Sequence, residues 1–83
     1  MTQIAFSKPF VFIWPGSHSP RVVRSLAAAS DFLFDNWNEY DSATWVGALR
    51  DCHDAEVGSC TLDQADEAFA MALREAGFSI QQH

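Results

Sequence analysis

The chain begins with closely spaced apolar residues and then changes to apolar positions that lie three and four residues apart. Phe10 to Trp14 consists of aromatic and β-branched residues, a composition typical of a strand. Pro15 to Ser19 is a run of turn-forming residues, and Pro20 to Arg24 provides a returning strand. The pattern therefore predicts an antiparallel β-hairpin with strands at about residues 10–14 and 20–24.

Three segments after the hairpin have the apolar spacing of α-helices. They cover about residues 26–37, 43–57 and 62–76. Residues able to cap the first helical amides precede them at Ser25, at Asp41 or Ser42, and at Thr61. Gly58 and Gly77 follow the second and third segments, where a left-handed glycine commonly ends a helix. These signals predict three helices with defined ends.

Apolar residues surround most of the first helical segment, because Phe34 and Trp37 widen the arc that contains Leu26 and Leu33. We therefore expect this helix to be covered on most sides and central in the fold. Phe78-Ser79-Ile80 alternates apolar and polar residues, which suggests a short third strand beside the hairpin. The predicted fold is a single α+β domain over residues 1–83, in which the hairpin packs against three α-helices in the order ββααα(β).

Charge and composition exclude several classes of partner. The 83-residue chain has eleven acids and five bases, a formal net charge of −6, and bases that are scattered along the sequence. Nucleic acids and anionic membrane surfaces are bound through clustered Lys and Arg, so we expect neither as a partner. The hydrophobic content of 48% argues against an intrinsically disordered chain. Without a targeting or membrane-spanning segment, and with Cys52 and Cys60 expected as reduced thiols, the predicted location is cytoplasmic.

Few residues suggest catalytic or metal chemistry. Cys52, His53 and Cys60 form the one sequence cluster with metal-ligand residue types, but the cysteines are too far apart for a zinc knuckle. His53 has Glu56 three residues later, a spacing that allows a carboxylate to orient a general base. A half-exposed histidine with no catalytic role has the same pattern. We therefore expect no metal, no cofactor and no enzyme activity, with a site at His53 and Glu56 as the alternative.

The first strand is apolar on both faces, which is unusual for a small sheet that helices cover on one side only. Phe10, Phe12 and Trp14 alternate with Val11 and Ile13. One of the two sets therefore needs a further cover. Either loops or the amino-terminal Ile4 and Phe6 provide it, or the set is an interface. Because aromatic residues dominate binding hot spots, Phe10, Phe12 and Trp14 are the predicted interface.

Several packing motifs together resemble a family of short alphaproteobacterial proteins, domain of unknown function family 982. The motifs are Pro9-Phe10-Val11, Arg21-Val22-Val23-Arg24-Ser25, Ala29-x-x-Phe32-Leu33-x-x-x-Trp37, Ala48-x-x-x-Cys52, Gly58 and Ala65-x-x-x-Phe69-x-x-Ala72-x-x-x-Ala76-Gly77. They span about residues 9–78. The chain departs from the family pattern at Ala28 and Asn38, where the family has glutamate and proline. The resemblance implies a small bacterial α+β domain and carries no known activity or site residues.

The sequence thus predicts a non-enzymatic cytoplasmic module that binds a protein partner or regulates one. Self-association is one form of this prediction, with the hairpin as the surface between two copies. The alternative is a small-molecule binder or an enzyme that uses His53 and Glu56.

Overall fold

The computed structural model describes residues 4–82, except for the side chains of Ser7 and Gln82. Its elements are β1 (Ala5–Ile13), β2 (Pro20–Ser25), α1 (Leu26–Asp35), α2 (Ala43–Glu56), α3 (Leu62–Glu75) and β3 (Ser79–Gln82). This order confirms the predicted α+β class and the third strand after the helices. The first strand starts five residues earlier than predicted, and its pairing with β2 is irregular between Ala5 and Phe10.

The three strands form one antiparallel sheet in the order β2-β1-β3. Phe10 lies opposite Val23 of β2, while Phe12 lies opposite Ile80 of β3. Because side chains alternate along a strand, these four residues face the same side of the sheet. Val11, which lies opposite Val22, faces the other side. The first strand is therefore the centre of the sheet, and the chain's last strand completes it.

The predicted caps position the helices. Ser25 Oγ accepts a hydrogen bond from the Ala28 amide at 3.2 Å, and Thr61 Oγ1 accepts one from the Gln64 amide at 3.1 Å. At α2 the cap is Ser42 rather than Asp41. The left-handed turns predicted after α2 and α3 are present, with φ of 81° at Gly58 and 93° at Gly77.

Helix α1 ends at Asp35, two residues earlier than predicted. The next amide no longer bonds four residues back, because Trp37 N–H donates to the Phe34 carbonyl at 3.3 Å, and Asn36 Nδ2 adds a second donor to the Phe32 carbonyl at 2.8 Å. The Leu33 carbonyl is satisfied from another helix, since Trp45 Nε1 of α2 donates to it at 2.8 Å. The end of α1 is thus fixed by a tertiary contact.

The predicted exposure of Phe10, Phe12 and Trp14 is corrected by the structure. Phe10 and Phe12 are fully buried, and Trp14 is half-buried against the core. The rings of Phe32 in α1 and Phe69 in α3 cover this face, with centroid distances of 5.1 Å from Phe12 to Phe32 and 4.9 Å from Phe10 to Phe69. The strand's aromatic set is the one that meets the helices, so it forms the core rather than an interface.

The middle helix is α2, not α1 as predicted. It packs against both α1 and α3, and its Trp45 is buried between Phe32 and Phe78. Helix α1 lies at one side of the layer, which leaves Phe34 exposed by 69%. The wide apolar arc of α1 is therefore covered only in part, and this surface is the most unusual part of the helical layer.

Candidate functional site

Among residues 4–82, the large aromatic side chains that are exposed lie where α1 meets α2. Phe34 is 69% exposed and Trp37 is 43% exposed, and the Trp37 amide donates to the Phe34 carbonyl at 3.3 Å, so both lie on the same turn. Val46, also 43% exposed, follows Trp45, whose indole ties the start of α2 to Leu33. These three residues lie at the same end of the α1–α2 pair. We call Phe34, Trp37 and Val46 the aromatic corner.

Three carboxylates lie on the segment that carries Phe34 and Trp37. Asp31 and Asp35 flank Phe34 on α1, and Glu39 follows Trp37; all three are exposed. The carboxyl end of a helix has a partial negative charge of its own, so basic residues stabilise it and acidic ones do not. Helix α1 has no basic residue in its last turn and ends on Asp35. The negative potentials of the helix end and of the side chains therefore add at this corner.

A groove of about 210 Å³ opens beside the corner, where residues 36–42 meet the end of α3. Its lining consists of Glu39, Tyr40, Asp41, Ser42, Glu75 and Ala76. Tyr40 is half-buried, with its ring 5.0 Å from Trp45 and 5.3 Å from Phe78, so the aromatic core supports the floor of the groove. Glu75 is held by Thr44, whose Oγ1 donates to Oε2 at 2.6 Å. Three carboxylates make the groove suitable for a cationic side chain.

The outer face of the hairpin is a second exposed surface. Val11 and Ile13 are half-buried there, and Val22 is 45% exposed. Arg24 follows the same alternation as Val22 and is exposed. The alternative cover that the sequence suggested is not on this face, because Phe6 packs against Phe10 and Phe69 in the core.

His53 and Glu56 lie apart from the groove beside the aromatic corner. Both side chains are exposed, and neither lines the groove beside the aromatic corner. Glu56 accepts a hydrogen bond from Ser30 Oγ at 3.2 Å, so its carboxylate links α2 to α1. In this arrangement Glu56 has a packing role.

The two cysteines are free thiols in different surroundings. Cys52 is fully buried, and this burial raises the pKa of its thiol to about 12, with Asp51 and Glu56 adding to the shift. Cys60 is half-buried and donates its S–H to the Asp51 carbonyl at 3.3 Å. Desolvation and the nearby Asp51 and Asp54 also raise the pKa of Cys60. Both shifts favour the thiol over the reactive thiolate.

Comparison with known proteins gives a family but no activity. A family model described as protein of unknown function (DUF982) matches residues 8–80. The chain belongs to this family. Searches of the curated proteins and of the solved structures found no match. The match confirms the resemblance seen in the sequence motifs.

Charge in this DUF982 member is divided between the hairpin and the helices, a feature that the sequence analysis missed when it treated the bases as scattered. Residues 1–30 contain three bases and no acid, a formal charge of +3. Residues 31–83 contain two bases and all eleven acids, a formal charge of −9, which gives the total of −6. The amino-acid sequence contains this signal, and comparison of the net charge of the two segments reveals it.

Residues 4–82 of the DUF982 domain were also compared with the requirements for a membrane-spanning helix and for a metal site. Within it, no helix is both long enough and apolar enough to cross a membrane. In the same range, no three His, Cys, Asp or Glu side chains are grouped so that they could hold a metal ion.

Proposed function

We propose that this chain is a non-enzymatic cytoplasmic module that binds a protein partner through its aromatic corner. The observation that carries the proposal is the exposure of Phe34, at 69%, beside the partly exposed Trp37 and Val46. Aromatic side chains lose much unfavourable hydration when a partner covers them, and they are enriched in binding hot spots. All three lie at one end of the α1–α2 pair, where a partner could cover them together.

The acidic residues at the corner support a binding role. A lysine at the carboxyl end of α1 would stabilise the helix by about 0.3–1 kcal/mol. The chain has Asp35 there instead and lacks this stabilisation. Residues that oppose the local rules of stability are often found at functional sites. A partner with basic residues would gain from the same negative potential, which also speeds its association.

Two features support the remaining parts of the proposal. Free Cys52 and Cys60 agree with a reducing compartment, as expected for the cytoplasm. The Glu56 carboxylate accepts a hydrogen bond from Ser30 Oγ of α1, which supports a structural role for Glu56 rather than the orientation of a general base at His53.

Affinity capture from the native host, with matched variants, tests the proposal. The corner variant carries Phe34→Ser and Trp37→Ser. The control is Met71→Ser, because Met71 is an apolar side chain on α3 with 57% exposure, outside the corner. We expect a stoichiometric partner that the wild type and the control retain and the corner variant loses at least about tenfold, a difference of about 1.4 kcal/mol. Equal capture by the corner variant would exclude the corner as the binding surface.

A further inference from the structure

We infer that the partner for the aromatic corner is the hairpin of a second copy of this chain, bound head to tail. This inference rests on the proposed function, since it requires the corner to be a binding surface. It names an occupant that the molecule itself supplies.

Charge complementarity is the first reason. The corner presents Asp31, Asp35 and Glu39 beside the carboxyl end of α1. The hairpin presents exposed Arg24 on the face of Val22, and it lies in a segment of the chain that contains no acid. Opposite charges of this kind on two surfaces fix their mutual orientation and raise the rate of encounter.

The second reason is that both surfaces contain exposed apolar side chains. Val22, at 45% exposure, lies between the partly exposed Val11 and the solvent edge of the sheet. Phe34 and Trp37 supply the aromatic side of the contact. Contact between these two groups removes apolar surface from water on both copies.

Charge also argues against the symmetric arrangements. A dimer of two hairpin faces would place two surfaces that carry Arg24 and no acid against each other. A dimer of two corners would oppose Asp31 and Asp35 in the same way. Like charges placed opposite each other in an interface cost several kcal/mol. A heterologous contact between corner and hairpin avoids both arrangements.

The geometry sets the form of the assembly. The hairpin face points away from the helical layer, whereas the corner belongs to that layer, so the two surfaces lie on different sides of the molecule. A contact between different surfaces that does not close into a ring produces open chains. Stable interfaces bury about 800 Å² per partner. Because the three residues of the corner form a smaller surface, we expect Kd between about 10 µM and 1 mM.

Sedimentation velocity on wild type and two complementary variants tests the inference. The charge-reversed corner variant combines Phe34→Ser with Asp35→Lys, and the hairpin variant combines Val22→Ser with Arg24→Glu. All four positions are exposed, and circular dichroism melts test whether each variant is folded. If a double variant fails to fold, the single charge reversals Asp35→Lys and Arg24→Glu replace it. Each variant retains one intact surface, so the variants can pair with each other but cannot form chains.

The wild type should show a mean mass that rises from 9.2 kDa with concentration and falls again as salt is added. Each variant alone should stay at the mass of one chain. Their equimolar mixture should form a pair, with a mass no higher than two chains. The inference is wrong if the wild type remains a single chain up to about 1 mM. It is also wrong if the mixture fails to pair, or if either variant associates as the wild type does.

Failure here can be separated from failure of the proposed function. A wild-type protein that stays monomeric but captures a different protein through Phe34 would refute the second-copy inference and leave the binding role intact. The capture experiment with Phe34→Ser and Trp37→Ser tests the binding role alone, because its result does not depend on whether the chain self-associates.

Discussion

Replacement of Trp45 by phenylalanine tests the tertiary contact that ends α1. Trp45 is 1% exposed, and its Nε1 donates to the Leu33 carbonyl at 2.8 Å in the core. Helix α1 lacks a glycine stop and a basic last turn, so the indole performs part of the capping role. Phenylalanine retains the aromatic packing but has no donor.

The size of the effect follows from two terms. A buried carbonyl left without its partner costs about 1–3 kcal/mol. The smaller ring also leaves part of the indole volume unfilled, which adds about 1 kcal/mol. The expected loss is therefore about 2–4 kcal/mol. An 83-residue domain has a total stability of about 4–12 kcal/mol, so the loss is a large fraction of it.

Urea unfolding followed by circular dichroism measures this loss without dependence on tryptophan fluorescence. With a slope of about 1 kcal/mol per molar urea, the midpoint should fall by about 2–4 M, or the variant should be largely unfolded in buffer. The melting temperature should fall by about 4–8 °C for each kcal/mol.

Trp37→Phe is the matched control, because Trp37 is a tryptophan at the same helix junction that is 43% exposed. Its change should lie within about 0.5 kcal/mol. A Trp45→Phe loss below about 0.5 kcal/mol would refute the view that the indole caps α1. An equal loss in the control would show that the method reports tryptophan content rather than the hydrogen bond.

The remaining predictions concern the backbone at Gly47 and Gly58 and the thiol of Cys52. Gly47→Ala should stabilise the fold by about 0.5–1 kcal/mol in urea unfolding, because Gly47 is inside α2 and an added Cβ would meet nothing within 4 Å. An unchanged free energy of unfolding would contradict this reasoning. Gly58→Ala should destabilise it by about 1 kcal/mol, since φ is +81° there, and an unchanged midpoint would contradict this. Burial raises the pKa of Cys52 from 9.0 to about 12. The stability difference between wild type and Cys52→Ala should therefore shrink by about 1.4 kcal/mol per pH unit above pH 9.0. A difference that stays constant with pH would contradict the raised pKa.

The sign of the Cys52 effect follows from the two states. Above pH 9.0 the unfolded chain releases the thiol proton, whereas the folded chain retains it until pH is about 12. The unfolded state alone gains from ionisation in this window. The contribution is therefore fully present below pH 9.0 and is lost as pH rises towards 12.

The helix boundaries could be predicted from the sequence because caps depend on residues only three apart. Ser25 and Thr61 bond to amides within the same turn, and Gly77 needs only its own backbone freedom. The end of α1 could not be predicted so well, since Trp45 lies twelve residues from Leu33 and meets it only in the folded chain.

The face of the strand was harder to predict than the strand itself. Alternation separates Phe12 from Val11, but it does not say which set the helices cover. Phe32 and Phe69 settle that choice through ring contacts across the layers. The exposure of Phe34 likewise depends on how many neighbours α1 has, which its own periodicity cannot show. These are long-range properties, and the binding surface depends on them.

The contact that ends α1 also holds the aromatic corner in place. Trp45 fixes the Leu33 carbonyl, and Asn36 fixes that of Phe32, directly beside Phe34 and Trp37. A surface held rigid before binding loses less conformational entropy when the partner arrives. Trp45→Phe should therefore weaken partner capture even under conditions where the variant is fully folded, whereas Gly47→Ala should change stability and leave capture equal to wild type. Equal capture by folded Trp45→Phe would show that the corner binds without this support, since the partner would then supply the order that the indole was expected to provide.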